Sequence, residues 1–85
     1  MIMFEDIGKA AGKLWKTLGM EDKVAVMQLP KSLDEKDDVT FQALGWLARE
    51  NKVTYFTKSG KVYVGLSDRE KQIYKSLPPS ARTIH

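Results

Sequence analysis

The apolar residues near the start of the chain repeat with the period of an α-helix. From Glu5 to Leu18 they recur at spacings of three and four residues, at Ile7, Ala10, Ala11, Leu14, Trp15 and Leu18. This spacing predicts an amphipathic first helix with one face in the core, and Gly19 suits its C-terminal cap. The opposite face carries three lysines, which indicates a solvated face more than a phosphate-contacting stripe: Lys9, Lys13 and Lys16.

A second, broader apolar face lies in the middle of the chain, between Asp34 and Lys52. The stretch predicts a helix with Asp34 as its N-cap and Asn51 as its stop. Its apolar face is centred on Ala43, Leu44 and Leu47 and flanked by Val39, Phe41, Trp46 and Ala48. The outer face carries Glu35, Asp38, Gln42, Gly45 and Arg49. The glycine costs about 0.5–1 kcal/mol relative to Ala, which is consistent with a close approach to the backbone or with a tolerated cost.

Two short elements separate these helices. Lys23–Val26 predicts a β-strand, and Met27–Leu33 predicts a brief helix. Pro30 keeps that helix short, because proline is tolerated only in the first turn. The tight link from Leu33 to Asp34 is what a helix-turn-helix requires.

Two strand patterns joined by a turn follow the central helix. Lys52–Lys58 and Lys61–Leu66 are rich in Val, Thr, Tyr and Phe, and Ser59-Gly60 suits a two-residue hairpin turn. One face of the predicted hairpin suits the core and carries Val53, Tyr55, Thr57, Val62, Val64 and Leu66. The other face is expected to expose an aromatic pair below two tip lysines: Phe56 and Tyr63, with Lys58 and Lys61.

The last part of the chain predicts a fourth helix and a tail. Ser67 and Glu70 form a capping box, and the inward residues are expected to be Ile73, Tyr74 and Leu77. Pro78-Pro79 ends the helix, and Ser80–His85 is expected to be disordered because it has nothing to bury. Residues 1–79 are therefore expected to form one domain.

The order helix-strand-helix-helix-strand-strand-helix predicts an α+β fold of the winged helix-turn-helix class. The run Ala43–Val53 (ALGWLARENKV) resembles the recognition helix of winged helix-turn-helix proteins where it leads into the first wing strand. More narrowly, ALGWLARE resembles a small prokaryotic winged-helix family of unestablished function, and IGKAAGKLWKTL resembles the first helix of that family. The resemblance covers about residues 5–66.

Composition limits the disulfides, metal sites and membrane association that this domain can have. The chain has no cysteine, which excludes a disulfide framework and a thiolate metal site and fits a reducing cytoplasm. No apolar run approaches the length of a membrane span, so no membrane association is expected. An 85-residue chain builds only a modest core, which makes homodimerisation a plausible route to further burial.

The charge is distributed unevenly along the chain. Residues 1–33 carry five bases and four acids (+1), residues 34–51 carry two and five (−3), and residues 52–85 carry seven and two (+5). The basic surface therefore lies beyond the central helix. The acids are concentrated in the central helix itself, which is unfavourable if that helix binds nucleic acid.

Enzymatic chemistry finds little support in the sequence. The only histidine, His85, lies at the end of the chain, and no glycine-rich phosphate loop is present. The helix dipole already accounts for Asp34, Asp37 and Asp38 at a helix start, so a divalent cation is not expected there. We predict no enzyme and no cofactor.

Two functions remain open. The first is double-stranded DNA binding by a small, dimeric transcriptional regulator, as the winged-helix resemblance implies. Its contacts would be Gln42 and Arg49 with bases and Lys52, Lys58 and Lys61 with phosphates. The second is a protein-interaction module that does not contact DNA, because the fold alone does not determine function.

Three aromatic residues allow a structural and a functional interpretation. Trp46 is either a residue at the edge of the core or part of a dimer interface, and the same alternatives hold for Phe56 and Tyr63. A surface that stacks unpaired bases beside the tip lysines is a third, weaker alternative.

Overall fold

The computed structural model describes residues 4–82 and has the order of elements that the sequence predicts, with a short 3₁₀ turn and a terminal helix added. The elements are α1 (Phe4–Glu21), β1 (Lys23–Ala25), the 3₁₀ turn (Val26–Gln28), α2 (Leu29–Leu33), α3 (Asp37–Arg49), β2 (Val53–Lys58), β3 (Lys61–Leu66), α4 (Asp68–Ser76) and α5 (Pro79–Arg82). The three strands form one antiparallel sheet in the order β1-β3-β2. The fold is therefore an α+β winged helix-turn-helix.

The core lies between α1, α3 and the sheet. Its largest fully buried side chains come from α1, α2, α3 and β3: Leu14, Leu18, Leu29, Leu33, Thr40, Val64 and Leu66. On α3, Leu44 is 5% exposed and Leu47 is 4% exposed, which confirms the predicted face of the central helix. Pro30 lies in the first turn of α2, where its missing N–H costs no hydrogen bond.

The hairpin of β2 and β3, which we call the wing, has the predicted register. Val53 lies opposite Leu66, and the pairing continues without a bulge to Lys58 opposite Lys61. Ser59 has φ 53° and Gly60 has φ 79°, the left-handed conformations of a two-residue hairpin turn.

Two of the predicted caps, Asp34 at the start of the central helix and Gly19 at the end of α1, were wrong, whereas Asn51 follows the end of α3 with φ 58°, as expected of a stop. Asp34 caps the C-terminus of α2 in the left-handed conformation (φ 52°), and α3 begins at Asp37 with Lys36 as its N-cap. The tight link between the helices needs a residue that tolerates positive φ, and Asp is one of the few that do. Likewise, α1 continues through Gly19 and ends at Glu21, where Asp22 takes φ 68°.

The end of the chain also differs from the prediction. Ser67 is the N-cap of α4 but makes no side-chain capping bond, and Glu70 accepts a hydrogen bond from Trp15 Nε1 at 3.0 Å. Ile73, predicted to be buried, is 41% exposed. Residues 80–82, predicted to be disordered, belong to α5, where Arg82 Nε donates to the Leu77 carbonyl at 2.9 Å. The remainder of that predicted tail, residues 83–85, lies outside the described residues. Within residues 4–82, no helix is both long and apolar enough to cross a bilayer.

Candidate nucleic-acid interface

The outer face of α3 presents a row of polar residues to solvent. Asp38, Gln42, Gly45 and Arg49 follow one another at spacings of three and four residues, and all four are exposed. A Cβ built on Gly45 would meet no atom within 4 Å. Nothing in the described part of the chain therefore requires this glycine, and the helix backbone is open to an external surface at this point.

The N-terminal end of this face is acidic. Asp37 and Asp38 occupy the first turn of α3, where they interact favourably with the positive end of the helix dipole. Asp38 Oδ1 also accepts a hydrogen bond from the Val39 N–H at 2.8 Å. These carboxylates stabilise the helix start, but they would repel a phosphate that approaches the same end of the helix.

The tip of the wing carries the two lysines that the sequence predicts as phosphate contacts. Lys58 and Lys61 are exposed and lie opposite each other beside the turn. Among the described residues, neither forms an ion pair. Lys52, at the base of the wing, differs because its Nζ lies 3.7 Å from Glu50 Oε1. Contact of Lys52 with DNA would therefore have to compete with this weak surface pair.

The aromatic pair on the wing is less exposed than predicted. Phe56 and Tyr63 are half-buried, and the Nζ of Lys23 lies 5.0 Å from the centre of the Phe56 ring. Together with Lys58 and Lys61 they line a shallow cleft of about 400 Å³. The sequence did not indicate this covering lysine, because it comes from β1, which lies next to β3 in the sheet.

Trp46 belongs to a different cleft. It is 43% exposed and lies among residues of α1, α3 and α4 that include Gly8, Gly12 and Ile73. The ring of Phe4 meets it edge-on, with the ring centroids 6.3 Å apart. The three residues predicted as a dimer interface thus line two clefts rather than one.

A third surface was not predicted. Met27, Tyr55 and Val62 are 79%, 47% and 47% exposed, and with Leu44 of α3 they line a groove of about 520 Å³ between the 3₁₀ turn and the wing. Alternation along the strands correctly placed Tyr55 and Val62 on the face that continues the core, but it did not indicate that the core ends before reaching them. Partial burial of the Tyr55 ring raises the pKa of its phenol above the ordinary value of 10.0.

Comparison with known proteins agrees with this architecture. The model of the winged helix-turn-helix domain family DUF2582 matches residues 2–66. The solution NMR structure of protein BT2368 from Bacteroides thetaiotaomicron is 30% identical in sequence and superposes with a TM-score of 0.66, covering 80% of this chain and 83% of that one. No curated protein matched the sequence. The chain belongs to the DUF2582 family of winged helix-turn-helix domains.

Proposed function

We propose that this domain binds double-stranded DNA, with the outer face of α3 in the major groove and the wing along the sugar-phosphate backbone. The observation that carries the proposal is the exposed row on α3. Gln42 and Arg49, the two side chains suited to read base edges, flank Gly45, above which the helix surface is open. Without a Cβ at this position, the helix axis can lie closer to the base pairs.

The spacing of the two side chains fits reading of a short site. Seven residues along an α-helix span roughly 10.5 Å, and successive bases rise about 3.4 Å along a strand. Gln42 and Arg49 therefore lie about three base steps apart. Glutamine pairs in bidentate fashion with adenine and arginine with guanine. One helix of this length reads one half-site, which supports the finer proposal of a transcriptional regulator that acts as a dimer.

The wing supplies sequence-independent contacts. Lys58 and Lys61 project from the tip free of ion pairs with other described residues, so they can replace counterions condensed on the phosphates. Asp38 weakens binding instead, because its carboxylate repels phosphate and it lies one turn from Gln42 on the same exposed face. We therefore expect modest affinity for random DNA and a larger share of the binding energy from base contacts.

The test is fluorescence anisotropy with a labelled random duplex, measured over a series of salt concentrations. Lys58→Ala or Lys61→Ala should lower the slope of log K against log salt by about 0.9 and weaken binding to all duplexes alike. Lys75→Ala, which removes the same charge from an exposed position on α4, is the matched control and should leave the slope unchanged. Arg49→Ala should instead cost about 1–3 kcal/mol at the preferred site and relax selectivity there.

A specific observation favours the alternative, a protein-interaction module. The groove beside α3 exposes Met27, Tyr55 and Val62, whereas a surface made for phosphates would be polar and basic. The same titration distinguishes the two functions. Random duplex DNA normally binds such proteins with a Kd of roughly 10⁻⁴–10⁻⁶ M. No saturable binding at tens of micromolar protein in low salt would refute the DNA proposal and favour the protein module.

A further inference from the structure

The outer edge of β2 is an open edge of the sheet. In the order β1-β3-β2, β3 is paired on both sides, and each of the other two strands has one free edge. The free edge of β1 is three residues long, whereas that of β2 is six residues long. Thr54, Tyr55, Thr57 and Lys58 are exposed, and no strand among the described residues pairs with this longer edge.

Lysines stand at the two ends of this edge, with Lys52 directly before β2 and Lys58 as its last residue, but the residues between them lack the usual devices that protect a sheet edge. From Val53 to Thr57 the strand has no charged residue and no proline, and its register with β3 has no bulge. Natural proteins generally block such edges with an inward-pointing charge, a proline or a bulge, because a free edge of this kind pairs with another strand. The five residues between Lys52 and Lys58 therefore leave this edge able to pair with another strand.

The hairpin geometry shows which backbone groups point to the free edge. Residues flanking a two-residue turn, here Lys58 and Lys61, form a hydrogen-bonded pair, and hydrogen-bonded pairs then alternate along the ladder. At the other end, the Ser67 N–H donates to the Lys52 carbonyl at 2.9 Å, in phase with this alternation. Even-numbered residues of β2 thus bond to β3, and the N–H and C=O groups of Val53, Tyr55 and Thr57 point outward.

We propose that two copies of this chain associate through β2, antiparallel about a two-fold axis at Tyr55, to form one continuous sheet. In this register Val53 lies opposite Thr57 of the partner subunit, and Tyr55 lies opposite the partner's Tyr55. Every outward N–H and C=O group of these three residues then gains a partner. If the register shifted by two residues in either direction, one of these three outward residues on each strand would have no hydrogen-bond partner in the other strand.

The side chains support the same register. Tyr55 is 47% exposed, and a cross-strand aromatic pair is among the favourable contacts in antiparallel sheets. The register is self-complementary, since the same three outward residues pair with one another on both strands, and this favours a second copy as the occupant. One cross-strand pair is unfavourable: Lys58 lies opposite the partner's Lys52, and the two positive charges repel each other. The ion pair of Lys52 with Glu50, at 3.7 Å, weakens this repulsion.

Sedimentation equilibrium tests the proposal directly. Only one strand from each copy takes part, so the interface is small, and we expect the dimer fraction to rise between about 1 µM and 1 mM. Tyr55→Lys places two like charges opposite each other and should give a folded monomer throughout this range. Val62→Lys is the matched control, because Val62 is also 47% exposed on the same face but lies on β3, away from the edge.

Two further measurements test the register and do not depend on how Tyr55→Lys folds. In the wild-type chain, hydrogen exchange of the Tyr55 and Thr57 amides should slow as protein concentration rises, whereas the Thr54 and Phe56 amides should be protected at every concentration. Lys58→Glu should strengthen association by placing opposite charges across the interface. A wild-type monomer at 1 mM, equal loss of the dimer in Tyr55→Lys and Val62→Lys, or exchange of the Tyr55 amide that does not change with concentration would each overturn the proposal.

Discussion

Gly19 offers a direct test of the packing. Glycine-to-alanine substitution should change the free energy of unfolding in opposite directions at two positions of α1, Gly19 and Gly12. A Cβ at Gly19 would overlap the ring of Tyr74, whereas a Cβ at Gly12 would meet nothing within 4 Å. The Tyr74 ring cannot simply move away. It is 8% exposed, meets Trp15 edge-on with the centroids 5.6 Å apart, and has Arg82 5.7 Å from its centre.

The magnitude follows from two opposing contributions. Replacing a helical glycine by alanine gains about 0.5–1 kcal/mol in helix propensity. Forcing a methyl group into a well-packed site costs about 1–3 kcal/mol. We therefore expect Gly19→Ala to lower the free energy of unfolding by roughly 0–2.5 kcal/mol, with a central value near 1, and Gly12→Ala to raise it by about 0.5–1 kcal/mol.

Thermal and urea unfolding followed by circular dichroism measure both changes. A change of 1 kcal/mol shifts the Tm of a domain of this size by about 4–8 °C, which is easily resolved. In a Tyr74→Ala background the clash is gone, so Gly19→Ala should become stabilising, and a double-mutant cycle would isolate the contact. If Gly19→Ala stabilises the wild-type chain by as much as Gly12→Ala does, the close packing of Tyr74 on α1 is refuted.

The remaining predictions concern the core, the aromatic residues and the acid on α3. Leu44→Ala and Leu47→Ala should each cost about 2–5 kcal/mol in urea unfolding, and losses below about 1 kcal/mol at both sites would contradict the burial of this face. Trp46→Glu and Tyr63→Glu should leave the dimer intact in sedimentation if the copies meet through β2, and should give monomers if these aromatic residues form the interface. Asp38→Asn should raise the affinity for random duplex DNA, and unchanged affinity would show that the outer face of α3 lies away from the phosphates.

The wing was the part of the fold best determined by local sequence. Ser59-Gly60 fixes the length of the turn, the turn fixes the register, and alternation then assigns every side chain to a face. The phase of α3 was equally secure, since Leu44 and Leu47 lie at the centre of a wide apolar face. Such features depend on neighbours a few residues away.

The features that sequence reasoning missed depend on residues far apart in the chain. Gly19 had the local character of a helix cap, but its role is to accommodate Tyr74, 55 positions later. Glu70 completed a capping-box pattern with Ser67, but its carboxylate accepts a hydrogen bond from Trp15 instead. In each case the residue makes a tertiary contact instead of the local one. The sequence around a residue does not reveal a contact with a partner so far away in the chain.

The two proposals are linked through the lysines of the wing. In the symmetric sheet, Lys58 at the tip of one wing lies opposite the partner's Lys52 at the base of the other, with Lys61 beside Lys58. This concentration of positive charge opposes dimerisation and attracts phosphate. An anion bound there would weaken the repulsion, so DNA binding and dimerisation should reinforce each other, and the coupling must be equal in both directions. Added salt should strengthen the free dimer by screening while it weakens the DNA complex. Opposite salt dependences of the two equilibria are therefore expected, and a free dimer that weakens when salt is added would contradict this arrangement of charges.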